Sequence, residues 1–270
     1  MFLRTTLLLA VTCLGEAAFG QANPVPTNPG QFTSGMNTFS LDQERTMGAQ
    51  MSAAALQRAT ASRDAAAQAY VDRVAGRLAQ ALPGPSPFPI QFVVVEALAL
   101  QDQLSAPAGE LVVYPGGHVF VPLGLLRSAR EDELAGLLAH AMGHVVHRDQ
   151  TKDQTLAQVI GMATVPLVFM NTDGDHPLIK DGVRQAVNYA TPLVIAAMER
   201  KFETDADTFA VRLTAAAGYD PDGLEHFIAR EPDPMGTLQI LLSRYPRPSA
   251  RAISMQKVIA KLRPLEPHPF

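Results

Sequence analysis

The chain has 270 residues, with 22 Lys and Arg against 26 Asp and Glu, one Cys, no Trp and a net charge of −4. Hydrophobic residues make up 47% and charged residues 18%, which excludes a disordered chain, since such chains are charge-rich and poor in apolar side chains. One Cys excludes a disulfide-stapled mini-domain. Mild acidity without a long basic stripe argues against a nucleic-acid partner.

Met1 to Arg4 carries a positive charge, Thr5 to Leu14 is apolar, and Ala18-Phe19-Gly20 places small residues ahead of Gln21. Residues 1–20 therefore read as a secretory signal peptide, implying a periplasmic or secreted protein. Ala10-Val11-Thr12 is a poor lipobox for Cys13, so no lipid anchor is expected. Cleavage would remove the only Cys and leave a thiol-free mature chain. Residues 21–39, with Pro24, Pro26, Pro29, Gly30 and Gly35, read as a linker, and residues 40–264 as one domain.

Ser40-Leu41-Asp42-Gln43 is a capping box opening a helix to about Arg58. Tyr70, Val71, Val74, Leu78 and Leu82 recur at helical spacing in a second helix from Asp64 to Leu82. Ile90 to Val95 reads as a buried strand. Leu111 to Tyr114 and His118 to Val121 read as strands on either side of a turn at Pro115-Gly116-Gly117. Ser128-Ala129-Arg130-Glu131 is a second capping box, predicting a helix to about Arg148. Leu156 to Met170 is apolar but too short to span a bilayer, and predicts a buried helix. A turn follows at Asn171 to Asp175, then a long helix over about Val183 to Ala217, with a possible break at Pro192. Gly218 suits its C-terminus. Asp220-Pro221 would open the next helix, and a last one covers about Ala250 to Leu262. The fold class is α+β, mostly helical with a small β-sheet and no membrane span in the mature chain.

His140 and His144 stand at i and i+4 on the helix from Ser128, on one face and roughly a turn apart, where both imidazoles can reach one zinc ion. Such a pair also occurs as ordinary polar residues on a core helix. Here Leu134, Leu137, Leu138, Val145 and Val146 surround it, so the imidazoles are buried and need partners. Glu203 and Asp207, also i and i+4, lie downstream. Glu203 would complete a His₂Glu site with an open fourth position, and Asp207 could orient a ligand imidazole. A solvated helix face, with Arg200 pairing Glu203, is the plainer alternative.

The order of these parts resembles the zinc metallopeptidase family of HtpX, the CAAX prenyl proteases, BepA and LoiP. The matching residues are Phe39 to Glu44, Pro115 to Val121, Glu131 to Ala135, His140, Gly143, His144 and Val145, then Arg200 to Asp207 (as R-x-x-E-x-x-A-D) and Ala217 to Pro221. The resemblance implies a gluzincin-like zincin domain and one zinc ion per chain on His140, His144 and Glu203. It also implies Asp207 and Arg200 in support, and hydrolysis of extended or unfolded polypeptide. In the family such substrates add to a strand edge, which points to Gly116, Gly117 and His118.

The chain departs from the family motif H-E-x-x-H at Ala141. The motif glutamate takes a proton from the attacking water and passes it to the leaving amine, a service on the order of 10²–10⁴-fold. Zinc binding is therefore expected to survive and hydrolysis to be impaired, which predicts a polypeptide-binding pseudo-protease. The alternative is an active metalloendopeptidase using a substitute base, with Glu199, His118 and Asp207 as candidates, or an engineered inactive form of one. The family's S-x-H-P segment is here Ser243-Arg244-Tyr245-Pro246, leaving Tyr245 as an oxyanion donor. Asp149 stands where the family often has His, and His147 lies two turns from His140, too far for a third ligand. With three departures, Ala141 reads as a natural variant.

Overall fold

In the computed structural model, residues 36–96, 111–170 and 177–262 are described. The chain divides into two units, Met1–Thr38 and Phe39–Phe270, and the fold below is that of the second. The proposed signal peptide and the turn at 171–175 lie outside the described residues.

Helix α1 (Leu41–Leu56) opens with the expected reciprocal cap: Gln43 N–H donates to Ser40 Oγ at 3.2 Å, and Ser40 N–H to Gln43 Oε1 at 2.8 Å. Asp64 caps α2 (Ala65–Gln80) through Ala67 N–H. Strands β1 (Gln91–Val95), β2 (Val112–Tyr114) and β3 (His118–Pro122) form a sheet in the order β1-β3-β2, with β3 parallel to β1 and antiparallel to β2. Alternation along β3 sends Val119 and Val121 into the main core and Phe120 to a smaller cluster with Ala59, Val95 and Val112 on the opposite face.

The chain continues through α3 (Leu123–Ser128), α4 (Glu131–His147), α5 (Asp149–Met170), α6 (Pro177–Ala216), α7 (Gly223–Ile228), α8 (Thr237–Leu242) and α9 (Pro248–Leu262). The main core joins Val71, Val74 and Leu78 of α2 and the inner face of the sheet to Leu134, Leu138 and Met142 of α4. Val211 of α6 and Met255 of α9 complete it. The architecture is α+β and mostly helical around a small sheet, as expected.

Among the differences from expectation, three bear on how the helices around the site begin and pack. The long helix past the sheet starts at Glu131, because Ser128 closes α3, its hydroxyl donating to Leu125 O; Glu133 caps α4 by accepting from Arg130 N–H at 2.8 Å. The helix from Asp149 is not fully buried over Leu156 to Thr164. Thr151 and Thr155 are enclosed, whereas Leu156 to Thr164 are half-buried or exposed, because α5 packs chiefly on α6 alone. Pro192 does not break α6: the bond it removes would use the carbonyl of Asn188, an exposed residue that water can serve. Gly218 ends that segment with φ 74°, letting Tyr219 N–H reach back to Thr214 O.

Candidate metal centre

The centre is built where α4 and α6 touch. Gly143 makes the approach possible, since a Cβ there would meet Phe209 Cδ1 at 3.1 Å and Ala206 Cα at 3.3 Å. One turn of α4 then presents His140 and His144, whose Nε2 atoms lie 3.0 Å apart. From α6, Glu203 sets Oε2 at 3.3 Å from His140 Nε2 and Oε1 at 3.3 Å from His144 Nε2.

Each imidazole is held from behind. His144 Nδ1–H donates to Asp149 Oδ2 at 2.8 Å, which turns Nε2 toward the site as the atom that would bind a metal once the ring is neutral. His140 Nδ1 lies 3.0 Å from Asp207 Oδ1, somewhat out of line with it. Asp207 is in turn gripped by Arg251 of α9, Nε to Oδ2 at 2.8 Å and Nη2 to Oδ1 at 2.7 Å.

The electrostatics follow from this crowding. Burial opposes charge on His144, but the Glu203 and Asp149 carboxylates outweigh it and push its pKa up to about 10. His140 is raised too, burial being overcome by Asp207 and Glu203. Burial would raise Glu203, yet His144 and His140 hold it well below the usual carboxylate range. Asp207 is held down against its own burial by Arg251 and His140. The pocket thus demands positive charge.

A metal ion fits this demand. Glu203 Oε2 is buried without a hydrogen bond, the nearest guanidinium nitrogen being Arg251 Nη2 at 3.7 Å, and the Nε2 atoms of the two imidazoles face each other. A tetrahedral zinc with bonds of about 2.0–2.1 Å spaces its ligands by about 3.3 Å, close to the 3.0, 3.3 and 3.3 Å between these donor atoms. Among the described residues, His140, His144 and Glu203 are the group whose donor atoms converge in this way.

The cluster opens on a cavity of about 790 Å3, also lined by Ala141, Tyr245, Glu199 and residues 111–113. Ala141 offers only a methyl group. Glu199 is raised by burial although Arg244, whose Nε donates to it at 2.6 Å, pulls the other way. Asp153, raised chiefly by burial, receives a longer contact from the same arginine, 3.5 Å. His147 makes no approach to the cluster and packs edge-on against Phe209.

Some of the expected residues lie away from the ligand cluster. Arg200 donates to Leu241 O at 3.2 Å and Ser243 O at 2.8 Å, tethering the strip that carries Tyr245. Gly116, Gly117 and His118 do not line the cavity. Strand β3 is the middle of the sheet and both its edges are taken. Gly116 (φ 73°) lies against the backbone of Arg45, and Gly117 (φ 92°) against Pro89 O, so these glycines serve close packing. The strand along the cavity is β2, which among the described residues pairs only with β3.

Nothing in the sequence points to Arg251 and Arg244, since no spacing links an arginine near the C-terminus to carboxylates about forty residues earlier. Asp149 stands out in the sequence only as a departure from the family pattern, not as a partner of His144.

Residues 65–269 match peptidase family M48. The chain is 25% identical over 276 residues to the beta-barrel assembly-enhancing protease of Escherichia coli O157:H7, covering 96% of this chain and 52% of that protein. It is 28% identical over 107 residues to protease HtpX of Legionella pneumophila (strain Corby), covering 36% of this chain and 38% of the other. The chain thus spans about half the length of the first relative.

Proposed function

The chain belongs to peptidase family M48, and from that premise we propose that it is an exported zinc-binding protein that captures extended polypeptide in its cavity and hydrolyses it poorly. The observation carrying this reading is Ala141, which lines the cavity next to His140 where the family's proton carrier stands. His140, His144 and Glu203 would hold one zinc ion. When bound, zinc polarises a peptide carbonyl and acidifies water. The remaining work falls to the protein. Asp149 and Asp207 fix the imidazoles, β2 offers backbone groups to an added strand, and Tyr245 is the candidate donor to a developing oxyanion. An alanine side chain can neither accept a proton from water nor deliver one to a departing amine.

No helix among the described residues is long and apolar enough to cross a membrane. Export rests on the residue 1–20 signal pattern and is tested by sequencing the N-terminus of the protein secreted from cells, which should begin at Gln21.

Glu199 supports a second reading, a slow but active endopeptidase, because it lines the cavity one turn ahead of Glu203 with its carboxyl raised by burial. Two measurements decide between them. Metal analysis of the purified chain should return about one zinc per molecule. A quenched-peptide assay should show little turnover, rising on the order of 10²–10⁴-fold in Ala141→Glu. Turnover by the chain as it stands at the rate of that variant, abolished in Glu199→Gln, would establish the second reading instead.

A further inference from the structure

We infer that Glu44 and Arg148 are positioning residues for the metal ligand His144, acting through Asp149. The inference rests on the reading of His144 as a ligand.

Helix α4 ends at His147 and α5 begins at Asp149, so Arg148 alone joins them. Arg148 has φ 59° and ψ 39°, and is the one non-glycine residue with positive φ among the described residues. This turn is what brings Asp149 to the imidazole. On an uninterrupted helix a residue five positions on lies about 140° round the axis, facing away from His144. The left-handed residue reverses the chain at once, so that the first residue of α5, only 5% exposed, sets Oδ2 at 2.8 Å from His144 Nδ1.

Arginine has no intrinsic liking for this conformation, lacking the freedom of glycine and the short polar side chain of asparagine. Its side chain supplies the reason it stays there. Arg148 Nε donates to Glu44 Oε2 at 2.7 Å, and Nη2 donates to Phe39 O at 2.7 Å. Glu44 is 1% exposed and reaches in from α1. The same Oε2 accepts from Thr151 Oγ1 at 2.9 Å, in the first turn of α5. One buried carboxylate therefore clamps the residue before Asp149 and the residue two after it. Helix α1 is itself seated firmly, since a Cβ on Gly48 would fall 1.8 Å from Pro115 O. The path runs from α1 through Glu44, Arg148 and Asp149 to His144, and it makes the segment from Phe39 to Glu44 part of the metal site.

A buried ion pair could instead only hold helices together. The test separates the two roles by measuring zinc affinity through chelator competition, and the electronic spectrum of the cobalt-substituted protein, well below the melting temperature of each sample. Glu44→Gln keeps the shape and removes the charge. Arg148→Gly keeps the left-handed turn and removes the anchor. Arg77→Ala is the control, since its guanidinium serves the carbonyls of Ala217 and Gly218. Both network variants should bind zinc about 10–100-fold more weakly, with an altered cobalt spectrum, while the control matches the wild type in both whatever its melting temperature. Wild-type affinity and spectrum in both network variants would overturn the inference. If Glu44→Gln does not fold, Arg148→Gly decides the question by itself. A wild type that binds no zinc would overturn the metal centre and this inference together, whereas bound zinc with unaffected variants overturns this inference alone.

Discussion

Two neighbouring parts of α4 have very different surroundings. His140 and His144 are each backed by a carboxylate, and one of those carboxylates is gripped by two nitrogens of Arg251. Ala141, on the same turn and facing the same cavity, has a methyl group and no polar partner to organise. The side chains that would hold a cation come with their supporting residues, whereas the position that would move a proton carries only a methyl group. On the proposed reading, holding the metal and moving the proton are separable tasks that fall to different side chains with different supports.

The widest way to break the contrast is to fill the blank. Ala141→Glu should raise peptide turnover on the order of 10²–10⁴-fold while leaving zinc content unchanged; a variant that gains nothing would show that the cavity has lost more than its base. Breaking the furnished half comes next. Arg251→Leu removes the guanidinium that pairs the buried Asp207 and leaves only His140 beside it, which should cost about 3–5 kcal/mol in chemical denaturation of the metal-free protein. A milder cut, Asp207→Asn, keeps the volume but weakens the hold on His140, and should lower zinc affinity about 10–100-fold in chelator competition.

The smallest effect is a proton count. In the metal-free protein the pKa of His144 is pushed up to about 10, so at neutral pH the ring is protonated. Ligation requires the neutral imidazole, so zinc uptake at that pH should release a proton from this group, about one per metal. Calorimetry in buffers of differing ionisation enthalpy reads it directly, and the release should fade as pH rises through the His144 pKa. By the same sign, the stabilisation that this cation draws from Glu203 and Asp149 without metal is full below the ordinary imidazole pKa of about 6.5 and is lost as pH passes about 10.

Much of this contrast is legible in the chain itself. His140 and His144, and likewise Glu203 and Asp207, sit at i and i+4, and helical geometry alone puts each pair on one face. The capping box at Ser40 and the glycine stop at Gly218 are equally local, and both hold in the structure. Where the structure places residues elsewhere than the sequence suggests, the cause is common. His118, Gly116 and Gly117 point to a substrate edge because their strand is recognisable, but whether a strand is central or at an edge depends on what pairs with it, and β1 arrives from earlier in the chain. Leu156 to Thr164 read as buried because they are largely apolar, but burial requires neighbours on several sides, and α5 has chiefly one.

The sequence by itself determined which chemistry the site can hold: two imidazoles and a carboxylate for a metal, and no acid or base at Ala141. That follows from residue identity and helical period, which are local. Only the tertiary structure decided what makes the site precise. Arg251 meets Asp207 across 44 residues, Arg148 meets Glu44 across 104, and Asp149 reaches His144 because one arginine is held left-handed. Such pairings are set by how helices close on a shared core, and no spacing in the chain encodes them.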